Sequence, residues 1–387
     1  MGNLIRDIKN SLLDKVEAGD NKLLRFPLPK TGKIMNNYVR GDFIVVSGRK
    51  TSGKRSFILK NYVLEPIFAK IKYKKALDVR VFYFSTSRGL SPLLEKLSAM
   101  YISAEEVKAN KDMFYNKVSI SSFYNYSNAD IAYGKATAKG LLNKAFNVLS
   151  KFIEKNYLKF FDGTKTVFEI KNIMKSLFTA YGRYDEDFDT FTYKEEYEDM
   201  VPIIIVDDAS MVLGEDGKNS IRNDNSAKLG MVLKEMAKTL NAIVVLNVPS
   251  ASIYTSQKEK IYMNRLEEIG AYSNFADKVL FLHNPQETQD RYVFNYDMLD
   301  FINENTGVCY FRHMTIAANT SGPSSVTIPY FFFPQSGEMY ELPQETDGEV
   351  NNELYGFISL VGQGSLNKAS SEDDDDDDKD EIEKLKD

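Results

Sequence analysis

No tryptophan occurs in the 387 residues, cysteine occurs once and histidine twice. Each scarcity excludes a class of function. A single thiol, Cys309, cannot build an internal disulfide framework, which suits a reducing, cytoplasmic compartment. With His283 and His313 as the only imidazoles, the ligand set of a zinc centre is missing. No uninterrupted apolar run approaches the roughly 18 residues of a membrane helix, and the first residues lack the basic-then-apolar order of a secretion signal. The chain is therefore expected to be neither exported nor membrane-spanning. Net charge is also small, −6, and unevenly placed. Residues 371–387 hold 11 acids and 3 lysines, so the remainder carries a net +2. A near-neutral body does not exclude nucleic acid, because local basic loops decide that.

What is present is a large apolar fraction, 43%, beside 27% charge, enough for one sizeable globular domain or two modest ones. Aromatic bulk falls to 23 tyrosines and 25 phenylalanines. The most informative stretch is Gly41-Asp-Phe-Ile-Val-Val-Ser-Gly-Arg-Lys-Thr-Ser-Gly-Lys-Arg-Ser56. An apolar run feeds a loop with the spacing G-x-x-x-x-G-K, from Gly48 to Gly53 and Lys54. Such a loop can wrap a phosphate in backbone N–H groups while the lysine neutralises it, and a helix starting at Lys54 would aim its positive end at the same anion. The alternative is an ordinary glycine-containing turn between a strand and a helix. One position departs from the motif. The usual last residue is a serine or threonine whose hydroxyl holds magnesium, and here it is Arg55. Ser56 follows one residue late, turned about 100° around a helix.

A second apolar run, Val201-Pro-Ile-Ile-Ile-Val-Asp-Asp208, has the pattern of a buried parallel strand with carboxylates at its C-terminal end. Asp207 is placed to hold a metal-bound water, as in a Walker B strand, unless the acids merely open a turn. Further strands are predicted at Phe43–Ser47, Val79–Ser85, Ala242–Asn247 and Lys278–Leu282. Helical patterns lie over 54–71, over Ser91–Met100, around Leu229, Leu233, Met236 and Leu240, and at Leu4, Ile5, Ile8, Leu12, Leu13 and Val16. Leu141, Leu142, Ala145, Phe146, Leu149, Phe152 and Ile153 mark another, within a region of about 105–199 read as a helical insertion. Alternating strands and helices predict an α/β fold with a parallel sheet covered on both faces, and ligands on such sheets bind at the C-terminal strand ends.

In this order the segments 27–343 resemble the RecA-like P-loop motor domain of DnaB-type replicative helicases. Arg40-Gly-Asp-Phe-Ile-Val-Val with the loop is similar to that family's first strand and Walker A. Phe84-Ser85 is similar to the end of its "FFSLEM" strand, and Lys228–Asn241 to its "SLKALAKELN" helix. Leu266-Glu-Glu-Ile-Gly-Ala-Tyr-Ser-Asn-Phe-Ala-Asp277 with Lys-Val-Leu-Phe-Leu resembles "LRESGAIEQDADVVLFL". Ile316–Pro323 falls on "VAKNRNGP" and Tyr330–Leu342 on the closing strand pair. The resemblance implies a RecA-like core over 27–346, preceded by a helical segment, 1–26, and followed by a linker and disordered acidic tail, 347–387. It also implies ATP or another nucleotide held by Gly48, Gly53, Lys54, Arg55 and Ser56, magnesium near Asp207, single-stranded DNA as substrate, and a homo-oligomeric ring or filament.

Departures from the family fall where hydrolysis is carried out. The catalytic glutamate that polarises water falls on Ser87. The lysine and arginine that reach a neighbouring subunit's γ-phosphate fall on Ala318 and Thr320. A glutamine sensor has no counterpart in Asn247-Val-Pro249. Either a nearby Arg88 or Arg312 supplies a charge, or the chain keeps the fold and has lost fast hydrolysis. Loops that face the ring channel in the family would be Gly214–Ser226, with Lys218 and Arg222, and Ser250–Arg265, with Lys258, Lys260 and Arg265. They can neutralise phosphates without reading sequence, or be ordinary solvated loops. The tail can recruit basic partners or serve solubility. The expected function is thus a helicase-like, phage-type replication or recombination protein that binds DNA and hydrolyses ATP weakly or not at all. The rival is a scaffold acting through protein partners.

Overall fold

Short runs of valine, isoleucine and phenylalanine become the strands of a central sheet in a computed structural model of the chain. It describes residues 24–72, 78–87, 89–109, 135–185, 189–215, 223–250, 269–294, 296–302, 307–334 and 337–343. In chain order the first elements are helix α1 (Pro29–Met35), strand β1 (Phe43–Gly48) and helix α2 (Lys54–Ile58). Helix α2 runs through a π-helical turn (Leu59–Leu64) into α3 (Glu65–Lys72). Next come β2 (Asp78–Ser85), α4 (Leu90–Ala109), α5 (Lys135–Glu154), β3 (Leu158–Asp162) and α6 (Val167–Phe178). A hairpin of β4 (Gly182–Asp185) and β5 (Thr190–Tyr193) leads to β6 (Met200–Asp207), α7 (Asn223–Thr239) and β7 (Ile243–Pro249). The remaining strands are β8 (Lys278–His283), β9 (Tyr292–Val293), β10 (Tyr296–Asp297), β11 (Phe311–Asn319), β12 (Val326–Phe332) and β13 (Met339–Glu341).

Nine strands form one sheet in the order β13-β12-β11-β8-β1-β7-β6-β2-β3. The six from β8 to β3 are parallel, and β11, β12 and β13 continue the sheet antiparallel. This is the mostly parallel α/β architecture expected from the strand and helix patterns. Side chains alternate between two layers. Ile44, Val46, Ile203 and Ile205 face α2, α3, α4 and α5, while Phe43, Val45, Ile204 and Val206 face α6 and α7. Every residue of β6 is buried. At roughly 1.5–3 kcal/mol for each fully buried apolar side chain, a strand apolar on both faces is stable only inside the sheet.

The stretch read as a helical insertion is part of this body where it is described. Helix α5 buries Ala145, Val148, Leu149 and Phe152 in the same layer as α3 and α4. Strand β3 adds the ninth strand beside β2, with only Leu158 fully buried. A half-covered edge strand carries mixed polarity, which is why Leu-Lys-Phe-Phe-Asp shows no strand pattern in the sequence. Helix α6 opens on a capping box: Thr166 Oγ1 accepts from the Glu169 N–H at 3.1 Å and Glu169 Oε2 accepts from the Thr166 N–H at 2.7 Å. A third apolar cluster, around Phe301, Phe311, Phe331 and Phe333, closes the antiparallel end. Most of segment 1–26 and all of 344–387 lie outside the described residues.

Candidate functional site

Strand β1 ends at Gly48, and the loop that follows is shaped by two glycines. Gly48 has φ +147°, and a Cβ there would run into the Leu282 carbonyl oxygen and Ser52 Oγ. Gly53 has φ +90°, and its Cβ would stand 2.8 Å from the Phe332 ring. Between them Ser52 Oγ and its N–H both donate to the Arg49 carbonyl, at 2.8 and 3.2 Å. Helix α2 starts at Lys54, so the loop meets a helical N-terminus. The Lys54 ammonium turns back into the loop and donates to the carbonyls of Gly48, at 2.5 Å, and Arg49, at 2.8 Å. Burial pushes its pKa down to about 8. Carbonyl oxygens are weak compensation for a buried cation, so an anion entering the loop has a charge waiting for it.

Arg55, the residue after the lysine, reaches across to the end of β6. Its Nε donates to Asp207 Oδ2 at 2.5 Å, and Nη2 donates to Asp207 Oδ1 at 3.1 Å and to Ser87 Oγ at 2.9 Å. Burial alone lowers the guanidinium pKa, and the paired carboxylate more than restores it, leaving it above its ordinary value. Asp207 is 1% exposed and takes two further bonds, from the Tyr83 hydroxyl and from Asn247 Nδ2 at 2.5 Å. The strand register produces this convergence. Ser85 pairs with Asp207 and Asp207 with Asn247, so the ends of β2, β6 and β7 form one row beside the loop. Thr86 braces the turn after it: its Oγ1 donates to the Asp208 carbonyl at 2.8 Å and accepts from the Asp208 N–H at 2.6 Å. Asp208 lines the same cleft, with its Oδ1 accepting from the N–H and the hydroxyl of Ser210, both at 2.9 Å.

Above the row lies a cleft of about 760 Å³, lined by Gly53, Lys54, Arg55, Ser87, Asp207 and Asn247, and by Lys96 and its neighbours on α4. Lys96 donates to the Pro334 carbonyl at 2.8 Å, and burial lowers its pKa to about 8. Beneath the loop, Arg312 is buried against Phe332 and donates to the carbonyls of Cys309, Phe311 and Thr51, at 2.8, 2.5 and 3.4 Å. It braces the loop from inside the fold.

The structure brings the sequence-derived residues Gly48, Gly53, Lys54, Arg55 and Asp207 into one site. Ser56 packs beside the Gly337 turn and makes no hydrogen bond to Asp207. Ser87 stands at the cleft as an acceptor for Arg55. Ala318 and Thr320 lie at the opposite end of the strands from the phosphate loop, where Ala318 pairs with Val279 near the start of β8 and the Thr320 N–H donates to the Asp277 carbonyl at 2.9 Å. Lys218, Arg222, Lys258, Lys260, Arg265 and Arg88 lie outside the described residues. Sequence reasoning missed Tyr83, Asn247 as a partner of Asp207, and Lys96. Only the cross-strand register and the placement of α4 bring these to the site.

The residues present fit a nucleotide's phosphates better than a magnesium ion. The loop backbone and Lys54 would hold the phosphates. Magnesium takes an octahedral shell of oxygens at about 2.0–2.1 Å. Both Asp207 oxygens are committed to cationic or neutral donors, and the hydroxyl position of the loop is a guanidinium. Among the described residues that line the cleft, the oxygens left for a metal are Asn247 Oδ1, buried without a partner, and the Asp208 carboxylate, whose Oδ1 already accepts from Ser210, which is short of an octahedral set.

No protein-family model and no curated protein matches the sequence. Solved structures do match. The ATPase domain of a DnaB-like helicase aligns with a TM-score of 0.59 at 18% identity, over 88% of this chain and 99% of that one. A DnaB-like replicative helicase, solved for its interactions with primase, aligns with a TM-score of 0.58 at 16% identity, over 85% of this chain and 66% of that one. The chain thus has the RecA-like fold of DnaB-type helicase ATPase domains, as the sequence motifs implied.

Proposed function

We propose that this chain is a RecA-fold nucleotide-binding protein of DNA replication or recombination that acts on single-stranded DNA as an oligomer and has lost rapid ATP hydrolysis. The observation that carries the last part is the Arg55–Asp207 pair. In a hydrolytic site the strand-end carboxylate serves the metal and its water. Here it is neutralised by an arginine of the same chain and held by Tyr83 and Asn247. Three other replacements agree with that reading. Ser87 brings a hydroxyl where general-base chemistry needs a carboxylate. Ala318 and Thr320 bring no charge at the positions where the resembled family has the lysine and arginine that reach a neighbouring subunit's nucleotide. Retention of the loop, with Gly48, Gly53 and Lys54 in place, supports nucleotide binding itself.

Oligomer formation and DNA binding rest on the fold shared with the DnaB-like helicase, and on the basic loop residues Lys218, Arg222, Lys258, Lys260 and Arg265. Nucleotide would then act as a structural ligand that stabilises the assembly by mass action rather than as fuel. The acidic tail, residues 371–387, would serve a basic protein partner. The testing experiment measures ATP binding and turnover on one sample, with and without magnesium and single-stranded DNA, for wild type and Lys54→Ala. Binding that depends on Lys54, with DNA binding and no turnover above background, is expected. DNA-stimulated turnover that collapses in Lys54→Ala would show an active motor and refute the proposal. Absence of nucleotide binding would leave a scaffold acting through protein partners.

A further inference from the structure

We infer that Arg55 takes the place of the divalent cation, so that this site binds the phosphates of a nucleotide without magnesium, with the guanidinium bridging Asp207 on one edge and a phosphate oxygen on the other. The inference rests on the nucleotide-binding reading above and concerns which ion that binding needs. Its first support is the division of the guanidinium's donors. Nε and Nη2 are used on Asp207 and Ser87, whereas Nη1 has no hydrogen-bond partner among the described residues. The side chain keeps 25% of its surface exposed, in the cleft it shares with Lys54. A guanidinium with one edge on a carboxylate and Nη1 left over is suited to donate to phosphate oxygens through Nη1. The arrangement carboxylate–cation–phosphate is the one a metal ion would make, with the cation supplied by the protein.

Charge and geometry support it further. A magnesium ion would bring two positive charges to the phosphates. The cleft lining holds Lys50, Lys54, Arg55 and Lys96 against Glu95, Asp207 and Asp208, so the protein's own cations outnumber its carboxylates there. Displacing Arg55 to admit a metal would break both of its bonds to a 1% exposed carboxylate and the bond to Ser87. Tyr83 and Asn247 would still hold Asp207 in its present rotamer, facing the vacated position. Ser56 borders the same cleft, but it packs beside Gly337 one residue around the helix and makes no hydrogen bond to Asp207, so it does not take the place of the missing hydroxyl at position 55.

The test uses the full chain and titrates ATP and ADP calorimetrically, in EDTA and in excess magnesium. Wild type is expected to bind with dissociation constants that agree within threefold between the two conditions. Arg55→Thr, which puts a hydroxyl at the loop position, is expected to bind at least tenfold more weakly in EDTA and to recover when magnesium is added. A tenfold or greater loss of wild-type affinity in EDTA would overturn the inference while leaving nucleotide binding intact, and so would Arg55→Thr binding in EDTA as tightly as wild type. Failure of wild type to bind in either condition would overturn the nucleotide-binding reading and this inference together. If Arg55→Thr does not fold, Arg55→Lys keeps the charge and loses the fork. It must then bind at least fivefold more weakly than wild type in EDTA, and equal affinity would overturn the inference.

Discussion

Coupling between Arg55 and Asp207 is the energetic centre of the site, and a double-mutant cycle measures it. Arg55→Met keeps the apolar stem and removes the fork, and Asp207→Asn keeps the shape and removes the charge. Taking one partner from a fully buried ion pair costs about 3–5 kcal/mol, mostly from the charge left behind. Asp207 is 1% exposed, but the Arg55 side chain is 25% exposed and borders the open cleft. Water entering there replaces part of the lost solvation, so Arg55→Met is expected to cost about 2 kcal/mol. Asp207→Asn should cost a similar amount, because Arg55 loses its counter-charge and the carboxamide cannot accept from Tyr83, Asn247 and both guanidinium nitrogens at once. The double variant should lose little more than either single one, a coupling of about 1–2 kcal/mol. The assay is urea unfolding at fixed protein concentration, followed by tyrosine fluorescence and circular dichroism, since the chain has no tryptophan. A coupling below about 0.5 kcal/mol, the level of independent sites, would show that the pair is not formed in solution and would remove the basis for both functional proposals.

Two further outcomes are expected. Burial holds the Lys54 pKa at about 8, and a bound anion needs its charged form, so nucleotide affinity should be level below pH 8 and fall toward tenfold per unit above it. Lys54→Arg should flatten that fall by one proton's worth, and a wild-type affinity level from neutral pH to well above 8 would contradict the burial argument. Without ligand the sign is opposite: the unfolded lysine holds its proton to higher pH than the folded one, so this group adds stability as pH rises above 8. Lys278, 0% exposed, is paired with the buried Asp42 across β1 and β8, and Lys278→Met leaves that carboxylate alone. A loss of about 3–5 kcal/mol in urea unfolding is expected. A change under about 1 kcal/mol would show that water or another group reaches Asp42.

Much of the parallel sheet was legible because its strands are buried on both faces. Phe43–Gly48, Asp78–Ser85, Met200–Asp207, Ile243–Pro249 and Lys278–His283 all read as apolar runs of strand length. The phosphate loop was legible for a different reason. Its glycines are required by local backbone shape, at φ +147° and +90°, and a local requirement leaves a local mark. Strand β3 and the hairpin of β4 and β5 were not legible, because half-exposed strands mix Lys, Asp and Arg with aromatics such as Phe160 and Phe191.

By itself the sequence determined the phosphate loop, the buried strands and the substitution of Arg55 for the metal-binding hydroxyl, all properties of neighbouring residues. Only the tertiary structure decided what Arg55 does. Its partner is 152 positions away and is presented by a different strand, and Tyr83 and Asn247 join it through the register of β2, β6 and β7. Hydrogen bonds between strand ends depend on strand order, and strand order depends on how helices cover the sheet. No pattern within a single segment carries that information.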